Sequence, residues 1–242
     1  MFSLVKSALL VTSTFSVNRK VCDAKAVLRG SQFYQDTVAA LKAVSLSFPQ
    51  QTIGETICYG LGNFSECLIA RYQLALLLLI KESFDSSVFV HDPIFYEAEV
   101  RLLEELGLHI ILENEEGKRK LKEGVNTLLY FPHCSKQLTN NFLWCNWGPE
   151  LKTCVLFGNS FSNVLSSELS SKSKANISFI QRIHPHTEEF ELENNFKYQD
   201  IFNNTSIHSF PPDKLSALDP GFWEQCEEPA YGADDTEFIR NL

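Results

Sequence analysis

Apolar and polar positions along this chain alternate between two periods. Short apolar runs of strand length occupy Glu55 to Tyr59, Ser87 to Asp92, Leu108 to Leu112, Asn126 to Phe131 and Thr153 to Phe157. Longer segments with helical spacing lie between most of them. Glu66 to Glu82 is apolar nearly all round, which predicts a helix buried on several sides; Arg71 within it needs a partner. After Asp92, Pro93 is expected to open a helix with Val100, Leu103 and Leu106 on one face. Gly107 is placed to end it in a left-handed residue, with Leu108 making the hydrophobic contact of a Schellman stop. Lys118 to Lys122 reads as a short basic helix closing at Gly124, and Ser135 to Trp147 as a longer one.

The flanks are less regular. Residues 1–20 show no clear period. Phe33, Val38, Leu41, Val44 and Phe48 then recur at helical spacing, with Pro49 as a stop. Ser166 to Ser173 reads as a loop or weak helix; Ile177 to Ile183 and Ser206 to Phe210 read as strands. From Pro211 little sheet and a flexible acidic end are expected. Strands alternating with helices at this spacing predict an α/β fold. The expected form is a Rossmann-like three-layer sandwich with a mostly parallel sheet in the order 3-2-1-4-5. The C-terminal strands extend it, one antiparallel at an edge. Three regions follow: an N-terminal helical segment (1–50), the Rossmann-like domain (51–212) and an acidic tail (213–242).

In such a sheet ligands bind beyond the carboxyl ends of the strands, where strand order reverses. The first strand runs into Gly60-Leu61-Gly62-Asn63-Phe64-Ser65. This resembles the glycine turn of a nucleotide site, with Ser65 as candidate helix N-cap, but the third glycine of the dinucleotide fingerprint is absent. A turn that merely packs a helix on a strand explains it equally well. The polar residues that converge on this rim are the candidate binding set: Gly60, Gly62, Asn63, Asp92, Glu113, Asn114, His133, Asn159 and Ser160. Asp92, thirty residues beyond Gly62, suits either ribose hydroxyls or the cap of the next helix.

No catalytic residue is assigned. His133 and Cys134 are adjacent, so on a strand they face opposite ways and make a poor nucleophile–base pair. His133 suits a ligand contact or a structural role. His184-Pro185-His186 lacks the further ligands a metal site needs, so no metal is expected. Trp144 and Trp147 read as core.

Composition narrows the function classes. With 44% hydrophobic and 21% charged residues the chain is of ordinary globular type. A net charge of −9 argues against direct nucleic-acid binding. From Glu188 onward thirteen acids face only Lys197, Lys214 and Arg240, so the excess is C-terminal. Seven cysteines without CxxC spacing suit a reducing compartment. No run is long enough to span a membrane, and three basic residues among the first 22 make a weak case for a transit peptide. Cytoplasm is the expected compartment, with the nucleus as a second.

Several motifs together resemble one family. They are Cys58-Tyr59-Gly60-Leu61-Gly62, His91-Asp92-Pro93-Ile94-Phe95, Glu113-Asn114-Glu115-Glu116-Gly117-Lys118-Arg119, Pro132-His133-Cys134 and Gly158-Asn159-Ser160-Phe161. Asn140-Asn141 to Asn146-Trp147, Phe202-Asn203-Asn204-Thr205-Ser206-Ile207-His208, Trp223-Glu224 and Glu227-Glu228-Pro229 continue the series. The sequence resembles the Sensitivity-to-Red-Light-Reduced family, the SRR-like domain proteins, from about Glu55 to the C-terminus. The resemblance implies a regulatory role: light signalling and the circadian clock in plants, haem biosynthesis and clock-gene expression in animals. It implies no defined reaction. A small ligand or a protein partner is expected, with S-adenosylmethionine, a nucleotide or haem as the cofactor classes to test. The alternative is a transferase dependent on S-adenosylmethionine or a nucleotide.

Overall fold

The computed structural model describes residues 2–48, 50–168, 176–224, 227–232 and 239, with side chains from residue 15 onward. Seven strands form one sheet in the order β3-β2-β1-β4-β5-β7-β6. They are β1 (Glu55–Tyr59), β2 (Ser87–His91), β3 (His109–Ile110), β4 (Thr127–Phe131), β5 (Cys154–Asn159), β6 (Glu188–Glu191) and β7 (Thr205–Ser209). The first five are parallel, with Glu55 level with Ser87 on one side and Thr127 on the other. β7 runs antiparallel to both β5 and β6. The Rossmann-like fold class and its 3-2-1-4-5 order are thus observed, with two further strands at the C-terminal edge.

Alternation along each central strand sends side chains to two apolar layers. Cys58, Leu128, Tyr130, Val155 and Phe157 meet α1 (Phe2–Arg29), α2 (Gln32–Ser45), α3 (Leu68–Phe84) and α4 (Glu97–Glu105). Ile57, Tyr59, Leu129, Phe131 and Leu156 meet α5 (Lys136–Cys145), the helix Ser178–Ile183 and the helix Pro212–Ser216. With α6 (Phe161–Ser167) preceding them, those last two are α7 and α8. α3 leaves β1 on one face and α5 leaves β4 on the other. The connections therefore diverge between β1 and β4, the topological switch point of the sheet.

Several expectations about local structure are corrected. Residues 2–20, aperiodic in sequence, belong to α1, whose buried Val21, Ala24 and Leu28 lie on α3. Ile177 to Ile183 is helix, not strand: Phe179, Ile180 and Ile183 fall on one helical face against α5. Lys118 to Lys122 forms no helix, and its backbone is instead bonded by Asn146 at the end of α5. Asn146 accepts from the Leu121 amide at 2.8 Å and donates to the Arg119 carbonyl at 2.9 Å. β6, Glu-Glu-Phe-Glu, was hidden by its charge, which suits an exposed sheet edge. The helix after Asp92 begins only at Glu97, so neither Asp92 nor Pro93 opens it. Gly107 does close it: at φ +74° its amide reaches Glu104 O and that of Leu108 reaches Leu103 O, the Schellman pattern.

The segments flanking the sheet are pinned to it. Phe33 of α2 stacks on Phe202 with ring centres 4.4 Å apart. Beyond residue 213, Trp147 donates to the Phe222 carbonyl at 3.0 Å, and its ring meets Phe179, Phe222, Trp223 and the Arg182 guanidinium. The serine-rich segment from 169 to 173 lies outside the described residues.

The β6 edge is tied to α6 by Glu189, which accepts from the Ser162 amide at 3.1 Å and hydroxyl at 2.7 Å. Burial pushes this carboxyl up, but the His208 ring, Ser160 and Ser162 outweigh burial and hold it well below the usual carboxylate range. A depressed folded value contributes stability above the unfolded pKa of about 4.5 and loses it as pH falls further. Glu189→Gln is therefore expected to cost most stability at neutral pH, the deficit shrinking below about pH 4.5. Urea unfolding across that range checks it, and a pH-independent deficit contradicts it.

Candidate functional site

The residues that follow β1, β2 and β4 enclose a cleft of about 180 Å³. Tyr59 and Gly60 come from β1 and its turn, His91 and Asp92 from β2, and His133, Cys134 and Ser135 from the segment after β4. Pro93, Ile94, Asn114, Leu138 and Ile239 complete the lining. Of the expected residues, Gly60, Asp92, Asn114 and His133 meet here. Gly62 and Asn63 sit in the adjoining loop. Glu113 does not line the cleft, nor do Asn159 and Ser160, whose polar groups are engaged elsewhere: Asn159 on the Cys134 carbonyl at 2.7 Å, Ser160 capping α6 through the Asn163 amide at 3.1 Å.

Two carboxylates fix the glycine loop. Asp92 accepts from the Gly62 amide at 2.8 Å and from the Ile94 amide at 3.0 Å. Glu99 is 2% exposed and takes the Ser65 amide at 2.7 Å, the Tyr96 amide at 2.9 Å and the Asn63 side chain at 3.1 Å. Arg71 finds the partners its apolar helix denies it: it donates to the Phe64 and Ser65 carbonyls at 3.1 and 2.8 Å. Ser65 consequently does not cap α3, which starts at Leu68 behind Cys67. The Gly62, Ser65 and Cys67 amides are met from within the protein, which a glycine turn awaiting a phosphate does not need.

Gly60 has its own reason. Its φ is +71°, and a Cβ there would lie 2.4 Å from Cys134 Sγ. The Cys134 thiol donates to the Tyr59 carbonyl at 2.9 Å, while burial and then the nearby Asp92 charge push it well above the usual thiol range. It is a packed thiol, not a nucleophile. His133, at φ +52°, places Nδ1 3.3 Å from the Gln73 amide nitrogen and Nε2 3.2 Å from the Asn203 carbonyl. Both nitrogens are thus engaged, bridging α3 to the segment before β7. The floor is similarly satisfied: Tyr59 donates to Glu115, which is paired with Arg119 at 3.0 Å. Burial, then the Glu115 bond and charge, push the phenol up, so it stays neutral.

Two polar atoms remain open. His91 is 8% exposed, and its Nδ1–H donates to the Ile111 carbonyl at 2.8 Å. A carbonyl only accepts, so Nδ1 carries a hydrogen, and in the neutral ring the lone pair lies on Nε2. Nε2 is buried with no partner among the described residues. Ser135 Oγ, at the start of α5 but making no capping bond, is buried and unpartnered in the same way. An unmet buried polar atom costs about 1–3 kcal/mol, so two in one cleft call for an explanation.

Other chemistry is less well provided for. Ser162, His184 and Glu189 cluster at the far edge, but acid and imidazole face the same hydroxyl, at 2.7 and 3.2 Å. The acid therefore does not orient the imidazole as a hydrolytic triad requires. Among the described residues no three His, Cys, Asp or Glu side chains gather as a metal site, and no helix is long and apolar enough to cross a membrane. The cleft does not fit a haem: His133 and Cys134 are committed, and the space beside His91 is below the roughly 300–1,000 Å³ of drug-sized pockets.

Comparison with known proteins places this geometry in a lineage. Residues 32–209 match the SRR1 domain. The chain belongs to the SRR1 family. It is 40% identical over 131 residues to an SRR1-like protein of Mus musculus, covering 52% of each chain. An SRR1-like protein of Drosophila melanogaster is 32% identical over 182 residues, covering 74% of this chain and 63% of the fly protein. Protein SENSITIVITY TO RED LIGHT REDUCED 1 of Arabidopsis thaliana is 30% identical over 199 residues, covering 76% of this chain and 70% of the plant protein. The chain therefore spans about half the length of the mouse relative. Among solved structures, the plantazolicin methyltransferase BpumL bound to SAH and a desmethyl analogue covers 84% of this chain and 94% of its own, at 13% identity and TM-score 0.36. Plantazolicin methyltransferase BamL aligns at 8% identity and TM-score 0.38, covering 82% of this SRR1-family chain and 97% of its own. So loose a likeness carries nothing about ligands.

The account of Gly60 is testable. Gly60→Ala is expected to destabilise by about 2–4 kcal/mol through overpacking and the left-handed backbone. Adding Cys134→Ala removes the collision and should recover about half of that loss. Equal losses with and without Cys134, measured by urea unfolding, contradict the packing explanation.

Proposed function

We propose that this chain is a non-enzymatic regulator that binds a small ligand in the cleft between β1, β2 and β4, and acts through it on haem biosynthesis and circadian clock gene expression. The observation that carries the reading is His91: a nine-tenths buried imidazole whose Nε2 has no partner among the described residues, at the carboxyl end of β2 beside the switch point where such folds take ligands. Membership of the SRR1 family, with a plant relative named for its red-light sensitivity, supports a signalling role. The committed thiol of Cys134 and the engaged ring of His133 leave no assembled nucleophile–base pair at the cleft, which favours sensing over turnover. The cytoplasm, with the nucleus as a second compartment, is where such a regulator would act.

A second reading rests on the same imidazole. A Nε2 lone pair in a cleft is also a proton acceptor, so a transferase using S-adenosylmethionine or a nucleotide could employ His91 as general base. The two readings separate by turnover: a transferase releases spent cofactor at a rate that His91→Gln abolishes, whereas a sensor binds and releases its ligand unchanged.

The regulatory reading is tested in cells of the source organism lacking the gene. The unmodified chain should restore porphyrin levels and clock-transcript rhythm, whereas His91→Gln and Ser135→Ala, present at equal abundance, should not. Full rescue by both variants overturns the cleft as the working site.

A further inference from the structure

The cleft's polar inventory also says what kind of ligand it takes. We infer that it selects a nucleoside without phosphate, seating a ribose against His91, Asp92 and Ser135 and leaving the base at the mouth; this rests on the ligand-cleft reading above. In the neutral ring His91 Nε2 is an acceptor, so its partner there is a donor: a hydroxyl or an amine. Asp92 spends one acceptor site of each carboxylate oxygen on the Gly62 and Ile94 amides and keeps further sites for donors. Ser135 Oγ can both donate and accept. Two acceptors beside a hydroxyl suit the vicinal hydroxyls of a pentose.

The same residues disfavour phosphate. Glycine turns hold phosphate with free backbone amides, commonly aided by a cation. Here the Gly62 and Ser65 amides are committed to Asp92 and Glu99, and that of Cys67 to the Asn63 carbonyl. No lysine or arginine lines the cleft among the described residues, and its fixed charge is the Asp92 carboxylate. A phosphate would meet repulsion and few donors.

Size and polarity agree. About 180 Å³ holds a sugar ring but not a whole dinucleotide. Ile94, 45% exposed, and Leu138 line the same cleft and offer apolar surface to a planar base.

Calorimetric titration in phosphate-free buffer tests this, with adenosine, 2′-deoxyadenosine, adenosine 5′-monophosphate and NAD as probes. Adenosine should bind, with the monophosphate and NAD weaker by about tenfold or more, and the deoxynucleoside weaker by about fivefold. His91→Gln should weaken adenosine about tenfold. The half-buried Ser135→Ala serves if the histidine variant unfolds, and should weaken adenosine severalfold. If the monophosphate or NAD binds as tightly as adenosine and the binding needs His91, the phosphate-free class is overturned while the ligand cleft stands. If no probe binds yet the variants fail to rescue cells, the nucleoside class is overturned and the cleft reading again survives. If no probe binds and both variants rescue, both readings fall.

Discussion

Two carboxylates hold the loop on which the cleft depends. Asp92 at the end of β2 and Glu99 in the first turn of α4 reach across to the chain leaving β1 and take its Gly62 and Ser65 amides. Glu99 also accepts from the Tyr96 amide, so one buried group fixes both the glycine loop and the start of the neighbouring helix. Hydrogen bonds from amides to an ionised acceptor are the stronger kind, and a buried carboxylate without them would be costly. Once they are made, the loop has one conformation, and Gly60 can lie against Cys134 only because no Cβ intervenes.

That arrangement turns a motif associated with phosphate into something else. The strand, the glycine turn and the acid at the end of β2 resemble those of a nucleotide-binding unit, but the protein's own acids occupy the Gly62 and Ser65 amides. Among the residues lining the cleft, a buried histidine nitrogen and a buried serine hydroxyl lack partners among the described residues. The sheet explains why the histidine is so firmly defined. β3 is only two residues long, and just past it the Ile111 carbonyl is free to accept from the His91 ring. Strand pairing thus reaches into the chemistry of the site by choosing a tautomer.

Much of the scaffold was legible in the sequence. The alternation of apolar runs gave the parallel strands and their order, and Gly107 with Leu108 announced the end of α4. The helical α7 was misread because a short apolar run has no period that separates helix from strand. β6 went unread because an exposed edge needs no apolar face. Strand ends alone point to Gly60, Asp92, Asn114 and His133, which the structure brings to one cleft. His91 was missed because it closes an apolar strand run, and its open nitrogen depends on a carbonyl twenty residues away. Glu99 was missed because it stands between Glu97 and Arg101 on a charged helix, where acids read as solvated. Ser135 passed as an ordinary residue at a helix start. For His91 and Glu99 the deciding partner is distant in sequence, and local pattern does not report it.

The most direct measurement is which nitrogen of the His91 ring carries the proton, read by nitrogen-15 NMR. The structure predicts the proton on Nδ1 and a bare Nε2 whose resonance moves when a ligand enters the cleft. A proton on Nε2 would contradict it, because the cleft would then present a donor and its selection for ribose hydroxyls would lose its basis.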